Sequence, residues 1–518
     1  MHKPLSGDSL LACYPLGMSY SALERHFQRL GHLQHATAIL GWDEAVMMPP
    51  AAGARRAETM GELQVMMHEQ LTAPALPELV ARAEEEALGG QLSRAQIANV
   101  REIRRVVRRA SGLNSELVAR MAEAQLRCEQ AWRVQRKNND FAGFAPLLAE
   151  VLTLKREAAA QLGAALHLPP YDALLDEYEP AAKAATLDVV FAQLRSFLPS
   201  LTEEVLAHQA GQSVIVPRGP FPIPAQRALG EAMMQAIGFD AAHGRLDVSH
   251  HPFCGGVPSD VRITTRYKEQ DFTSALMGVL HETGHAKYEQ GLPKEWGLQP
   301  VGAARGMAMH EGQSLCSEMQ VSRSREFLEF LVPHVHATFP EAVRAQPEAF
   351  TVDNLYRFFT RVERGKIRVD ADEVTYPSHV LLRYELERKL IAGSMQVRDL
   401  PEAWDAGMRE LLQLPIGDDH RDGCMQDVHW PSGAFGYFPT YTLGAMTAAQ
   451  LFQAAVRAEP QIPEDIRQGT FSRLNAFLAR TVWSRGSILS GEELMREATG
   501  EPLNPSFFEA HLRKRYLA

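Results

Sequence analysis

Cysteine is scarce. The 518 residues hold five, at Cys13, Cys128, Cys254, Cys316 and Cys424, with no Cys-x-x-Cys pair among them. So sparse and odd a set excludes a disulfide scaffold and reads as free thiols in a reducing compartment. Long hydrophobic runs are missing too: no stretch nears the roughly 18 apolar residues that a membrane-spanning helix needs. Basic charge falls short of acidic, 53 Lys and Arg against 63 Asp and Glu for a balance of −10. That deficit argues against nucleic acid as a partner, because phosphate binding needs a basic field. Leu10-Leu11-Ala12-Cys13 has the look of a lipoprotein cleavage box, but Met1–Ser9 contains Pro4, Gly7 and Asp8 and no apolar stretch to precede one. These absences leave a cytoplasmic protein with no membrane or nucleic-acid role as the expectation.

What is present is ordinary for a large globular enzyme: 45% hydrophobic and 22% charged residues. From about Ser21 to Gln209, charged and apolar residues recur at three- and four-residue spacing, which predicts helix after helix. One of these carries a basic stripe, Arg101, Arg104, Arg105, Arg108 and Arg109, read as a solvated face answering Glu84–Glu86. The prolines in Val214–Pro224 forbid helix and mark a coarse boundary between an N-terminal part, 1–213, and a second part, 225–518. The one β signal is Asp260–Tyr267, where Val261, Ile263 and Thr265 alternate with polar neighbours. The expected fold is mainly α with a small sheet.

Leu280-His281-Glu282-Thr283-Gly284-His285-Ala286 contains His-Glu-x-x-His. On a helix His281 and His285 lie one turn apart on one face, so both imidazoles can reach a single ion. Glu282 is rotated by about 100° from that face, beside the ion, where a carboxylate can act as base on a water. Asp271 or Thr273 can cap the start of this helix and Gly291 can end it. Gly284 costs about 1 kcal/mol against alanine in a helix, so it hints at close packing. A catalytic zinc site takes three protein ligands. Downstream, Met309-His310-Glu311-Gly312-Gln313-Ser314 offers Glu311 as the third, with His310 an alternative that spacing alone leaves open.

These two segments together resemble the M32 family of metallocarboxypeptidases, the thermostable carboxypeptidase Taq family. Further motifs carry the resemblance: His251-Pro252-Phe253, Asp260-x-Arg262-x-Thr264, Ile367-Arg368-Val369-Asp370-Ala371-Asp372 and Gly423-Cys424-Met425-Gln426-Asp427-Val428-His429-Trp430. Weaker echoes are Trp42-Asp43 with Met48-Pro49-Pro50, and Tyr171–Asp176, so the likeness runs from about Tyr20 to Leu517. Gly312 departs from the serine usual there. The resemblance implies one catalytic domain over 1–518, a clefted helical fold similar to neurolysin and angiotensin-converting enzyme with a small antiparallel sheet near the site. It also implies a homodimer that removes C-terminal residues from peptides. Its ligands would be His281, His285 and Glu311, its catalytic carboxylate Glu282, and its ion Zn2+, with Co2+ or Mn2+ able to take the same place.

Around this centre the sequence supplies oxyanion donors and carboxylate binders. His429, Tyr437 and Tyr441 are the candidate donors. Arg368 and Arg262 are the candidate clamps for a peptide's free terminus, since a guanidinium can grip a carboxylate with two bonds, although each arginine has acidic neighbours to pair with instead. Two other readings keep the same residues: an endo-oligopeptidase or dipeptidyl carboxypeptidase, and a non-catalytic peptide-binding protein with a vestigial metal site.

Overall fold

The computed structural model describes residues 19–518; the Leu10–Cys13 segment and Cys13 lie outside them. Helices dominate, from Ser19–Val46 to Pro505–Leu517. Their ends follow local chemistry. Ser93 accepts from the Gln96 amide while the Gln96 side chain accepts from the Ser93 amide, so a reciprocal cap opens the helix Arg94–Ser111. On that helix Arg104 meets Glu84 at 2.7 Å, as the basic stripe predicts, while Arg105 and Arg109 turn instead to Asp176 and Glu177. The segment 212–222 is non-helical, between the helices Ala184–Gln209 and Ile223–Ala236.

The sheet has three strands, β1 (Gly244–Val248), β2 (Cys254–Val257) and β3 (Asp260–Thr265), in the order β1-β3-β2. It is mixed, which corrects the antiparallel expectation: β2 pairs antiparallel with β3, but β1 pairs parallel with it. The reason lies in the link Ser249–Phe253, the stretch that carries the His251-Pro252-Phe253 motif. It reverses the chain while leaving a strand-wide gap, and β3 fills that gap after a tight turn. Only β3 was legible in advance, because β1 and β2 are short and β2 is half glycine.

Two large apolar cores hold the molecule. One joins residues of 117–205 to residues of 362–449 and to the C-terminal helix; the other gathers residues from Phe221 to Ala498. The helix Pro439–Ala458 belongs to both, giving Leu443, Met446 and Ala449 to the first and Ala448, Leu451, Ala454 and Ala455 to the second. A third, smaller core lies among the N-terminal helices between Tyr20 and Val107. No helix among the described residues is long and apolar enough to cross a membrane. Cys128, Cys316 and Cys424 are buried free thiols and Cys254 is half-buried.

Candidate metal centre

The helix Thr273–Gly291 carries His281, Glu282 and His285 and ends at the predicted glycine. Asp271 caps its start, accepting from the Thr273 amide at 2.9 Å and from the Thr273 hydroxyl at 2.6 Å. The sheet packs against it through Val261, Ile263 and Val279. On its other side it crosses the helix Gly306–Leu315 so closely that a Cβ on Gly284 would stand 2.5 Å from the Gln313 carbonyl oxygen. The predicted close packing is therefore real, and it brings Glu311 to the histidines. A second glycine completes the sandwich: a Cβ on Gly444, in Pro439–Ala458, would lie 2.7 Å from Glu311 Cβ. At Gly312 a Cβ would come within 2.7 Å of Thr447 Cγ2.

Glu311 Oε2 lies 3.4 Å from His285 Nε2 and 3.9 Å from His281 Nε2, and ligand atoms of the three residues all fall within 4.8 Å of one another. Donors about 2.1 Å from a common tetrahedral ion stand roughly 3.4 Å apart, so the set fits one. Each imidazole is steered by its other nitrogen. His281 Nδ1 bonds Glu318 Oε2 at 2.9 Å, and Arg323 holds Glu318 in turn at 2.6 Å. His285 Nδ1 faces the His310 carbonyl at 3.0 Å and His310 Nδ1 at 2.6 Å, while His310 Nε2 meets Glu289 at 2.8 Å. These contacts leave each Nε2 lone pair free to bind an ion. Of the two candidate third ligands, His310 has both ring nitrogens engaged behind His285, whereas Glu311 faces the Nε2 atoms of His281 and His285.

Electrostatics point the same way. Glu282 and Glu318 are buried here and Glu311 is half-buried between them, and among the described residues Arg323 is the one arginine paired with the three. Burial alone would raise the Glu311 carboxyl, but the hydrogen bond with His285 and the charge of His281 hold it down to about 2. Burial would depress His281, yet Glu318, Glu311 and Glu282 raise it to about 10. The acids thus demand a positive charge among them, which a divalent ion meets. Glu282 is pushed up to about 7, chiefly by burial.

A second group of side chains lies on the far side of Glu311, whose charge reaches Tyr376, Tyr437 and Tyr441 alike. His429 Nε2 meets the Tyr441 hydroxyl at 3.1 Å, and the Tyr437 and Tyr441 rings are 5.2 Å apart. The sequence candidates His429, Tyr437 and Tyr441 therefore form one cluster. Arg368 stands behind it, 4.9 Å over the Tyr441 ring. Its guanidinium donates to Asp427 Oδ1 at 3.0 and 2.8 Å and to the Tyr376 hydroxyl at 2.6 Å. Arg383 takes the other Asp427 oxygen at 2.6 Å. Arg262 is elsewhere, on β3, paired twice with Asp260 and lying 4.5 Å over the Trp42 ring. Sequence reading assigned no role to Glu318, Tyr376, Arg383 or Asp427. Asp427 sat inside a motif and Glu318 stands two turns beyond Glu311, in a π-helical stretch, Cys316–Ser322, of the kind often found at functional sites.

Comparison with known proteins bears on the family and the fold. The model of the carboxypeptidase Taq (M32) metallopeptidase family matches residues 22–516. The chain is 37% identical to thermostable carboxypeptidase 1 of Thermus thermophilus over 505 residues, which is 95% of this chain and 97% of that one. It is 31% identical to carboxypeptidase 1 of Bacillus subtilis over 492 residues, 94% of this chain and 96% of that one. Among solved structures, Trypanosoma cruzi metallocarboxypeptidase 1 superposes with a TM-score of 0.94 at 44% identity, over 96% of this chain and 99% of that one. The M32 carboxypeptidase of Deinococcus radiodurans gives 0.90 at 35%, over 96% and 98%. With a family model spanning nearly its whole length and these relatives beside it, the chain belongs to the carboxypeptidase Taq (M32) family of metallopeptidases.

Proposed function

We propose that the protein hydrolyses peptides from the C-terminus, releasing single residues, with one Zn2+ held by His281, His285 and Glu311. The observation that carries this reading is the meeting of those three residues beside a buried Glu282 that has no ion-pair partner among the described residues. A divalent ion there supplies Lewis acidity, lowering the pKa of water towards about 7 and polarising the scissile carbonyl. Glu282 takes the proton of the attacking water and passes it to the departing amine; its burial favours the protonated carboxyl and so the first transfer. The Tyr437 and Tyr441 hydroxyls donate to the oxyanion, and His429 holds Tyr441 in place.

Recognition of the substrate's free carboxylate falls to the Arg368 side. Arg368 and Arg383 share a single aspartate, so one positive charge is left uncancelled in burial behind Tyr376 and Tyr441. Its field favours a carboxylate at the tyrosines although the Arg368 fork is itself bonded. For Arg262 the bidentate pair with Asp260 favours a structural part in the sheet. The homodimer is carried over from the family resemblance.

The test combines metal analysis with a time course of products from an N-blocked peptide, free-acid and amidated, before and after chelation. Stoichiometric metal, stepwise residue release from the free acid alone and loss on chelation are expected. Internal cuts, or equal cleavage of the amide, would overturn the exopeptidase reading.

A further inference from the structure

Glu387 lies on the helix Tyr376–Ala392 and is fully buried, yet among the described residues it has no salt-bridge partner. Burying a carboxylate is costly unless donors replace its water, and here three converge. The Tyr171 hydroxyl donates to Oε1 at 2.8 Å, the Trp430 indole to Oε2 at 2.8 Å, and the Gly436 amide to Oε1. Two of these donors, Trp430 and Gly436, sit just inside the ends of the loop that runs from His429 to Tyr437. The third, Tyr171, is on the helix Pro170–Tyr178, on which the same loop is seated: Gly436 has φ of 94°, and a Cβ there would stand 2.9 Å from the Leu174 carbonyl carbon. That helix also packs the Tyr178 ring edge-on to Tyr437 at 4.9 Å. One carboxylate therefore pins both ends of the loop and the surface beneath it.

We propose that Glu387 is a positioning residue for hydrolysis, fixing the loop so that His429 and Tyr437 stand where the transition state requires them. It acts through the loop and the helix beneath it, and none of its three partners is a candidate metal ligand. The inference rests on the roles proposed for His429 and Tyr437. Misplacing an active-site group by about 1 Å can cost about a hundredfold in rate.

Glu387→Gln keeps the shape and one accepting oxygen for Tyr171 and Gly436, but it removes the charge and turns an NH2 group against the Trp430 N–H. In the full-length, metal-loaded enzyme, kcat should fall about tenfold to a hundredfold, with KM moving much less and metal stoichiometry unchanged. Tyr171→Phe and Trp430→Phe each remove one donor while keeping the carboxylate, and should give smaller losses in the same parameter. Added to Tyr437→Phe, Glu387→Gln should cost less than it does alone, because residues acting as a unit are not additive. Wild-type kcat per folded molecule in Glu387→Gln, whatever its melting temperature, would overturn the proposal. Should that variant not fold, wild-type kcat in both Tyr171→Phe and Trp430→Phe would do the same. If Tyr437→Phe and His429→Ala are themselves fully active, the reading of the cluster falls and this inference with it. An inert Glu387→Gln beside a crippled Tyr437→Phe refutes the positioning role alone.

Discussion

The two sides of the site are built on different principles. On the metal side, the candidate ligands come from two helices drawn together by the absence of a side chain at Gly284, and a third helix closes on Glu311 at Gly444. Their spacing along the chain is local, and steric fit sets the geometry. On the tyrosine side, Arg368, Arg383, Asp427 and Tyr376 come from three stretches of chain, and buried hydrogen bonds and ion pairs set the geometry. The first kind of construction writes itself into a short motif. The second leaves little more than scattered charges until the chain is folded.

Substitutions should separate the two sides. The largest effect belongs to Glu282→Gln, which should retain metal but lose peptide hydrolysis by about a thousandfold or more; a near wild-type rate with bound metal would end its assignment as base. Next comes Asp427→Asn. Stranding two buried guanidiniums without their shared anion should cost about 3–5 kcal/mol of stability, read as a lower denaturation midpoint. Metal affinity in that variant should stay near wild type, and a large drop would show that the two sides are not independent.

Glu318→Gln tests the opposite direction. Loosening the His281 ring should weaken metal binding by about tenfold to a hundredfold, measured by competition with a chelator, with little change in the apo-protein's stability. The smallest effect concerns Glu373, which precedes the Tyr376 helix and is held by His511 at 2.8 Å and Tyr516 at 3.0 Å from the C-terminal helix. Burial opposes its ionisation, but His511 and Arg515 bring it down to about 2 from an ordinary 4.5. A depressed carboxyl stabilises the fold above its unfolded value and loses that contribution as pH falls from about 4.5 towards 2. Going from pH 7 to pH 4 should therefore remove of the order of 1 kcal/mol through this group. Glu373→Gln should show a smaller difference in melting temperature between those two pH values than the unsubstituted chain does.

How much of this the sequence disclosed follows from the same contrast. The helical majority was plain from three- and four-residue periodicity, and the ligand helix from its motif and its caps. His429, Tyr437 and Tyr441 could be named because they follow a motif within one short segment. Arg383 and Glu387 could not, since on the helix Tyr376–Ala392 they fall on one face with Tyr376, at spacings that also describe a solvated charged stripe. Only burial distinguishes the two situations: Arg383 and Glu387 are both wholly inaccessible. β1 and β2 escaped notice because short strands with glycine carry almost no alternation, and the parallel pairing of β1 depends on where β3 is inserted, which no residue in β1 encodes.

The helix Pro439–Ala458, shared by both large cores, has a consequence for the chain as a unit of inheritance and of breakdown. Neither core can lose its neighbour without opening one flank of this common rod, and we propose that the proline-rich stretch near residue 217 is a bend in the path and not a seam. Cutting there should yield no half that stands alone, and heat should melt the two cores together in one step.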